Sequence, residues 1–255
     1  MSILFLEVII KLEMQYLFLN SYFKAIEKHI ADQIDFDRMI NSKTTDQAFE
    51  VLQDTNYNRW ALKTKNLREI FQGEKVFFKN ELSKLGASEL SQLFFLRADI
   101  TNLRIHLKNQ LFNLQSGDLL DWGKSKKELE RDFKEEIREA KDKETPALLD
   151  DYLTEIYLKK LKEVTDKDKE IKKFINEYEL ILNDCQGEVR AQKLREAENK
   201  FIFEQEKKNS GLASVLAFFM KKWRAEKMIK TIIDAKKIGF SPQEIKNLTE
   251  GLRAL

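Results

Sequence analysis

The chain has 255 residues, of which 35% are charged and 42% hydrophobic, with a formal net charge of +2, 8 Gly and 2 Pro. That apolar fraction excludes intrinsic disorder, which goes with few apolar residues and a large net charge. The even charge balance argues against a nucleic-acid binder, because phosphate recognition needs a clustered excess of Lys and Arg. The scarcity of Gly and Pro removes the punctuation for many tight turns, so long helices are expected.

A single cysteine, Cys185, leaves no internal disulfide framework and no Cys-based zinc site, and it points to a reducing compartment. His29 and His106 lie far apart without metal-pair spacing and read as ordinary surface or packing residues. Residues 1–10 are apolar but lack the basic segment and small-residue cleavage site of a signal peptide. Glu7, Lys11 and Glu13 interrupt any run of the roughly 20 apolar residues that spanning a bilayer requires, so a soluble chain is expected.

In chain order, Leu12, Tyr16, Leu19, Phe23, Ile26 and Ile30 recur at helical spacing and form one face of a long amphipathic helix. Thr44 and Gln47 have capping-box spacing, starting a second helix that ends near Asp54, Thr55 and Asn56. After a break at Gly86, Ser88 is an N-cap for a long helix with the stripe Leu93, Leu96, Ile100, Leu103, Leu107, Leu111 and Leu114. Gly117 and Gly123 frame a connection containing Asp118, Asp121 and Trp122, where the main boundary is placed, giving units 1–118 and 119–255.

Ser125 and Glu128 form another capping box, opening the highly charged segment 125–144 with the narrow stripe Leu129, Phe133, Ile137 and Ala140. Glu130 with Lys134 and Glu139 with Lys143 have the favourable i, i+4 order. The pattern fits either a solvated outer helix or a partner-facing helix of coiled-coil character. Pro146 opens a helix through Leu148, Leu149, Tyr152, Ile156 and Leu161, and Thr165 and Asp168 mark the next start, before Ile171, Phe174, Ile175 and Tyr178. Gly187 reads as an end, and Gly211 precedes a long apolar run from Leu212 to Ile233. Lys236, Lys237 and Gly239 close that helix, and Ser241, Pro242 and Glu244 start a last one through Ile245, Leu248 and Leu252. No sustained period-two alternation occurs, so the expected fold class is all-α.

No phosphate-binding glycine loop, dinucleotide fingerprint, H-E-x-x-H helix or nucleophile elbow is present. Paired acids such as Glu135 with Glu136 and Asp150 with Asp151 sit in charge-rich helices, where a solvated face explains them without a catalytic cleft. The 18 Phe, 6 Tyr and 3 Trp fall mostly on apolar stripes rather than among basic residues, which favours core packing over base stacking. No catalytic, cofactor-binding or metal-ligating residues are assigned, no cofactor is expected, and no partner-interface residues are named.

Four segments carry a resemblance, in order along the chain. The first is Tyr16, Asn20, Ala25 and Glu27, then Asp35-Phe36 with Met39-Ile40, then Leu52, Thr55 and Tyr57. The second is Leu96 to Arg104 with Arg97, Asp99 and Asn102, and the third is Pro146, Leu149, Asp150 and Tyr152. The last is Gly211 to Phe218, followed by Lys236, Gly239, Ser241, Pro242, Glu244 and Ile245. Together these resemble the C-type central-stalk protein of the V/A-type rotary ATPases, which corresponds to the d-type stalk protein of the eukaryotic vacuolar ATPase.

That resemblance implies an elongated fold of pseudo-repeated helical units arranged as a funnel, its third unit reduced here. It implies a non-catalytic rotor component of the central stalk, held at the cytoplasmic face of the membrane. The implied partners are the D and F shaft proteins of the V/A-type ATPase and the membrane proteolipid ring, with ATP-linked proton or sodium transport as the process served. Leu12, Tyr16, Leu19, Phe23, Leu96, Ile100 and Leu103 are the expected core, while Asn20, Asp99 and Asn102 are expected to be structural and, if buried, hydrogen-bonded. The competing expectation is a helical scaffold or coiled-coil adaptor that uses segment 125–144.

Overall fold

The computed structural model describes residues 21–23, 25, 30–84, 88–114, 119, 120, 123–165, 168–208 and 211–250. Among these every regular element is helical, so the all-α expectation holds. The expected core residues Leu12, Tyr16 and Leu19, the polar Asn20, His29, and the turn residues Gly86, Gly117, Asp118, Asp121 and Trp122 lie outside the described residues. The chain divides into two compact units, one formed by residues up to Phe77 together with those from Ala191 onward, the other by Phe78–Arg190. The expected boundary between 118 and 119 falls inside this second unit.

The first unit begins with α1 (Gln33–Asn41), whose N-cap Asp32 and Asp35 satisfy each other's backbone amides in a capping box. That fixes the start of the helix so that Phe36, Met39 and Ile40 all face inward and are fully buried. Thr44 caps α2 (Thr45–Val51), while the Gln47 side chain reaches one residue further back, to the Lys43 amide. A 3-10 turn (Leu52–Asp54) and the short α3 (Asn58–Ala61) follow, with α4 (Leu67–Lys84) running into the second unit. The Thr55 hydroxyl donates to Leu52 O at 2.7 Å and accepts from the Tyr57 amide at 3.3 Å, so the Thr55-x-Tyr57 signature is a turn lock.

Later in the chain come α10 (Gly187–Lys208), which enters from the second unit, α11 (Gly211–Lys237) and α12 (Pro242–Thr249). α11 is buried around most of its circumference, as a helix at the centre of a core must be. It packs on α1 and α2, while α12 packs on α1 and on α11 itself. Phe23 is 3% exposed, with its ring 4.7 Å from that of Phe218 and 5.5 Å from that of Phe219. Gly239, at φ +88°, ends α11 in a Schellman arrangement: the Gly239 amide donates to Lys236 O and the Phe240 amide to Ala235 O. Ser241, Pro242 and Glu244 then restart the chain as expected. Lys236 Nζ donates to Ile40 O at 2.9 Å and Ser42 O at 2.6 Å, capping the C-terminal end of α1.

The second unit is built around α5 (Ser88–Phe112) and α8 (Pro146–Val164), which share its most extensive helix contact. Leu96, Ile100 and Leu103 are buried here as expected. Asp150 joins the pair by an ion pair with Arg104 at 3.0 Å and by accepting from Lys108 at 2.7 Å. The segment 125–144 is two helices, not the one expected: α6 (Lys126–Asp132) and α7 (Lys134–Ala140) meet at Phe133, which has φ −121° and ψ 32°.

The break at Phe133 has a packing cause. Phe133 is 3% exposed, and Lys124 and Lys160 hold their ammonium groups 5.5 Å and 5.0 Å from its ring centre. The anticipated i, i+4 pairs are replaced as well, since Glu130 faces Lys126 and His106, and Glu139 accepts from the Tyr152 hydroxyl. Asp168 caps α9 (Lys169–Asp184), and Gly187 at φ +57° begins α10 rather than ending a helix.

Candidate functional site

Each unit gathers polar groups in one place. In the first unit the inward-facing stripe of α4 reads Leu67, Ile70 and Glu74, so a carboxylate stands where the spacing calls for an apolar side chain. On α11, Lys222 and Glu226 likewise replace apolar residues in the stripe between Phe219 and Ile229. Glu74 and Lys222 are each 1% exposed, and Lys75 and Glu226 are also buried. Lys222 Nζ donates to Glu74 Oε1, which also accepts from Asn56 Nδ2, and Lys75 Nζ donates to Glu226 Oε2 at 2.5 Å. The Lys222 ammonium lies 4.6 Å from the centre of the Tyr57 ring, which is itself fully buried against Phe71.

This cluster is electrostatically tense. Burial drives the Glu74 carboxyl up to about 7, with the Glu226 charge adding to the rise and Lys222 opposing it. Burial likewise depresses the Lys222 ammonium, against the pull of Glu74 and Glu226, and raises the Tyr57 phenol well above its ordinary value. Four buried oxygens lack hydrogen-bond partners: Asn56 Oδ1, Tyr57 Oη, Glu74 Oε2 and Glu226 Oε1. Paired charges in so dry a place contribute little net stability, yet removing one partner leaves the other uncompensated.

In the second unit a groove of about 1220 Å³ runs between α5, the 119–125 connection, α6 and α8. Its floor includes Phe95, Leu96 and Phe133, and its charges neutralise one another. Lys124 Nζ sits 3.6 Å from Asp99 and 3.1 Å from Asp132, and Lys160 is 3.1 Å from Glu136. Asp132 is held down at about 2 by its hydrogen bond from Arg131 and then by Lys124. The Lys79 ammonium lies 5.3 Å from the Phe95 ring centre.

The two polar residues singled out from sequence on α5 form a clamp beside this groove. Asn102 is fully buried, donating to Leu120 O at 2.9 Å and Lys124 O at 3.0 Å, and accepting from the Leu120 amide at 2.6 Å. Asp99 accepts from the Lys124 amide at 2.8 Å. The connection therefore hangs on α5, and Gly123 permits the close approach, since a Cβ there would stand 2.7 Å from Asn102 Nδ2 and 3.1 Å from the Ala98 backbone. His106 is a packing residue with its pKa lowered by burial. Among the described residues no group of three or more His, Cys, Asp or Glu side chains is placed to hold a metal ion.

Glu74, Lys75, Lys222 and Glu226 were not identified from the sequence. The signal existed as two helical stripes, each interrupted by charges of the kind that the other could neutralise. Which stripes face each other is decided by tertiary packing, across more than 140 positions of chain. No family model matches the chain, and no curated protein matches it.

Proposed function

We propose that the chain is a non-catalytic rotor component of the central stalk of a V/A-type ATPase, a part like the C-type stalk protein that couples a D–F shaft to the membrane proteolipid ring in ATP-linked proton or sodium transport. The observation that carries this reading is the ordered resemblance of four segments, from Tyr16 through Ile245. The roles of the matching residues are in keeping with it, because they are architectural. Asp35 completes a cap, Thr55 locks a turn, Asp99 and Asn102 clamp a connection, Asp150 ties α5 to α8, and Lys236 caps α1. A coupling part has to hold its shape under torque and needs no reacting groups. No helix among the described residues is long and apolar enough to cross a membrane, and in this reading the chain reaches the cytoplasmic face of the ring through protein contacts.

Affinity purification of the tagged chain from native membranes is expected to recover shaft and ring proteins with it. Repeated recovery of the chain without them would reject the rotor reading. The second reading, a helical adaptor, is favoured by the solvent-facing charges of α6 and α7, among them Lys126, Arg131, Glu135 and Arg138. In that case the same purification returns a different protein, which is lost when those charges are reversed.

A further inference from the structure

The buried charges of the first unit do not balance as hydrogen-bonding groups. The groups facing Glu74 are Lys75 from its own helix α4, Lys222 and Glu226 from α11, and Asn56 and Tyr57 from the turn before α3. Three acceptor oxygens in this set, Asn56 Oδ1, Glu74 Oε2 and Glu226 Oε1, have no donor, and the Tyr57 hydroxyl has no partner. An apolar interior penalises each such oxygen, and the penalty is largest for a carboxylate.

A proton on Glu74 Oε2 corrects two faults together. It removes one of the two negative charges sharing the site, and it turns an orphan acceptor into a donor. Glu74 is the better carrier because Lys222 and Asn56 both donate to Oε1, leaving Oε2 open, and because it is more deeply buried than Glu226. We propose that this cluster is a proton-binding site of the folded chain, in which Glu74 Oε2 takes one proton from solvent and returns it when α4 and α11 separate. Only the O–H bond at Oε2 forms or breaks. The proposal is independent of the rotor reading.

The direction of the pH effect follows from burial, which lifts the Glu74 carboxyl from 4.5 to about 7 on folding. The stability contributed by the bound proton is complete below about 4.5, where the unfolded chain is protonated too, and is lost as pH rises through about 7.

The test is infrared difference spectroscopy of the full chain between pH 6 and pH 8, where ordinary surface carboxylates stay ionised. A protonated-carboxyl band is expected at pH 6, fading towards pH 8 and missing in Glu74→Gln. In denaturant titrations the unfolding constant of the wild type, divided by that of Glu74→Gln, should rise by up to about tenfold per pH unit between pH 5 and 7. Absence of the band from the wild type at pH 6, or its persistence in Glu74→Gln, overturns the proposal. If Glu74→Gln does not fold, Glu226→Gln decides: removing that neighbouring charge should move the band's midpoint to lower pH, and an unmoved midpoint rejects the site.

Discussion

Asn102 shows how one side chain turns a helix surface into a loop anchor. Its amide uses both of its hydrogen-bonding ends on the 119–124 backbone, a few ångströms from the Asp99 carboxylate that holds the same strip of chain. Asn102→Ala strips the Leu120 amide and two carbonyls of their partner, at an expected cost of about 2 to 3 kcal/mol. Chemical denaturation measures that cost, and amide exchange should quicken across residues 119–125 while α8 stays protected. A loss below about 0.5 kcal/mol would mean that the connection is held by something else. The sequence permitted half of this: an Asn on the apolar face of a helix must find partners if buried, but the partners lie 18 and 22 positions away. Nothing local in the sequence specifies that distance.

Helix ends were far easier to read than helix middles. Thr44, Ser125, Asp168 and Ser241 all cap where their spacing indicated, because a cap is a local bargain between a side chain and amides two or three residues on. α4 and α10 escaped the sequence reading for opposite reasons. The stripe of α4 is broken by Glu74, whereas α10 buries only Ala197, Phe201, Ile202 and Gln205 in a helix otherwise rich in charge. The break at Phe133 was illegible because a ring drawn into the core overrode the local preference for one continuous helix.

The end of α11 provides a test at this scale. Gly239 has open space around it, so the cost of Gly239→Ala is conformational strain from φ +88° rather than collision. The expected destabilisation is about 1 kcal/mol. Gly239→Asn should recover part of it, because Asn tolerates the left-handed region better than Ala. Equal midpoints for the Ala and Asn variants in thermal melts would contradict this account.

At the scale of the molecule, the two units differ in how the chain supplies them. One is a continuous stretch, Phe78–Arg190, and the other is assembled from both ends of the sequence. The sequence-based division at 118 rested on glycines and a polar connection, signals that also accompany a loop held firmly inside a unit. A fragment spanning 78–190 should therefore be helical by circular dichroism, unfold cooperatively and resist limited proteolysis. A fragment ending at residue 190 should keep that resistant part and lose protection of α1 and α2, which pack on α11. Equal protease sensitivity across the shortened chain would show that the two units are not separate in stability.

The bond from Lys236 to the end of α1 also bears on the order of events at the ribosome. Ile40 leaves the exit tunnel 196 residues ahead of its capping ammonium, an interval of roughly 10 to 40 s at elongation rates of about 5 to 20 residues per second. During that interval Phe36, Met39 and Ile40 have no α11 to cover them, while the stretch that forms the second unit is already being delivered whole. Phe78–Arg190 is thus positioned to fold before α1 finds its packing partner. A chaperone that binds exposed apolar segments has its natural target in the segment of α1 that carries Phe36, Met39 and Ile40.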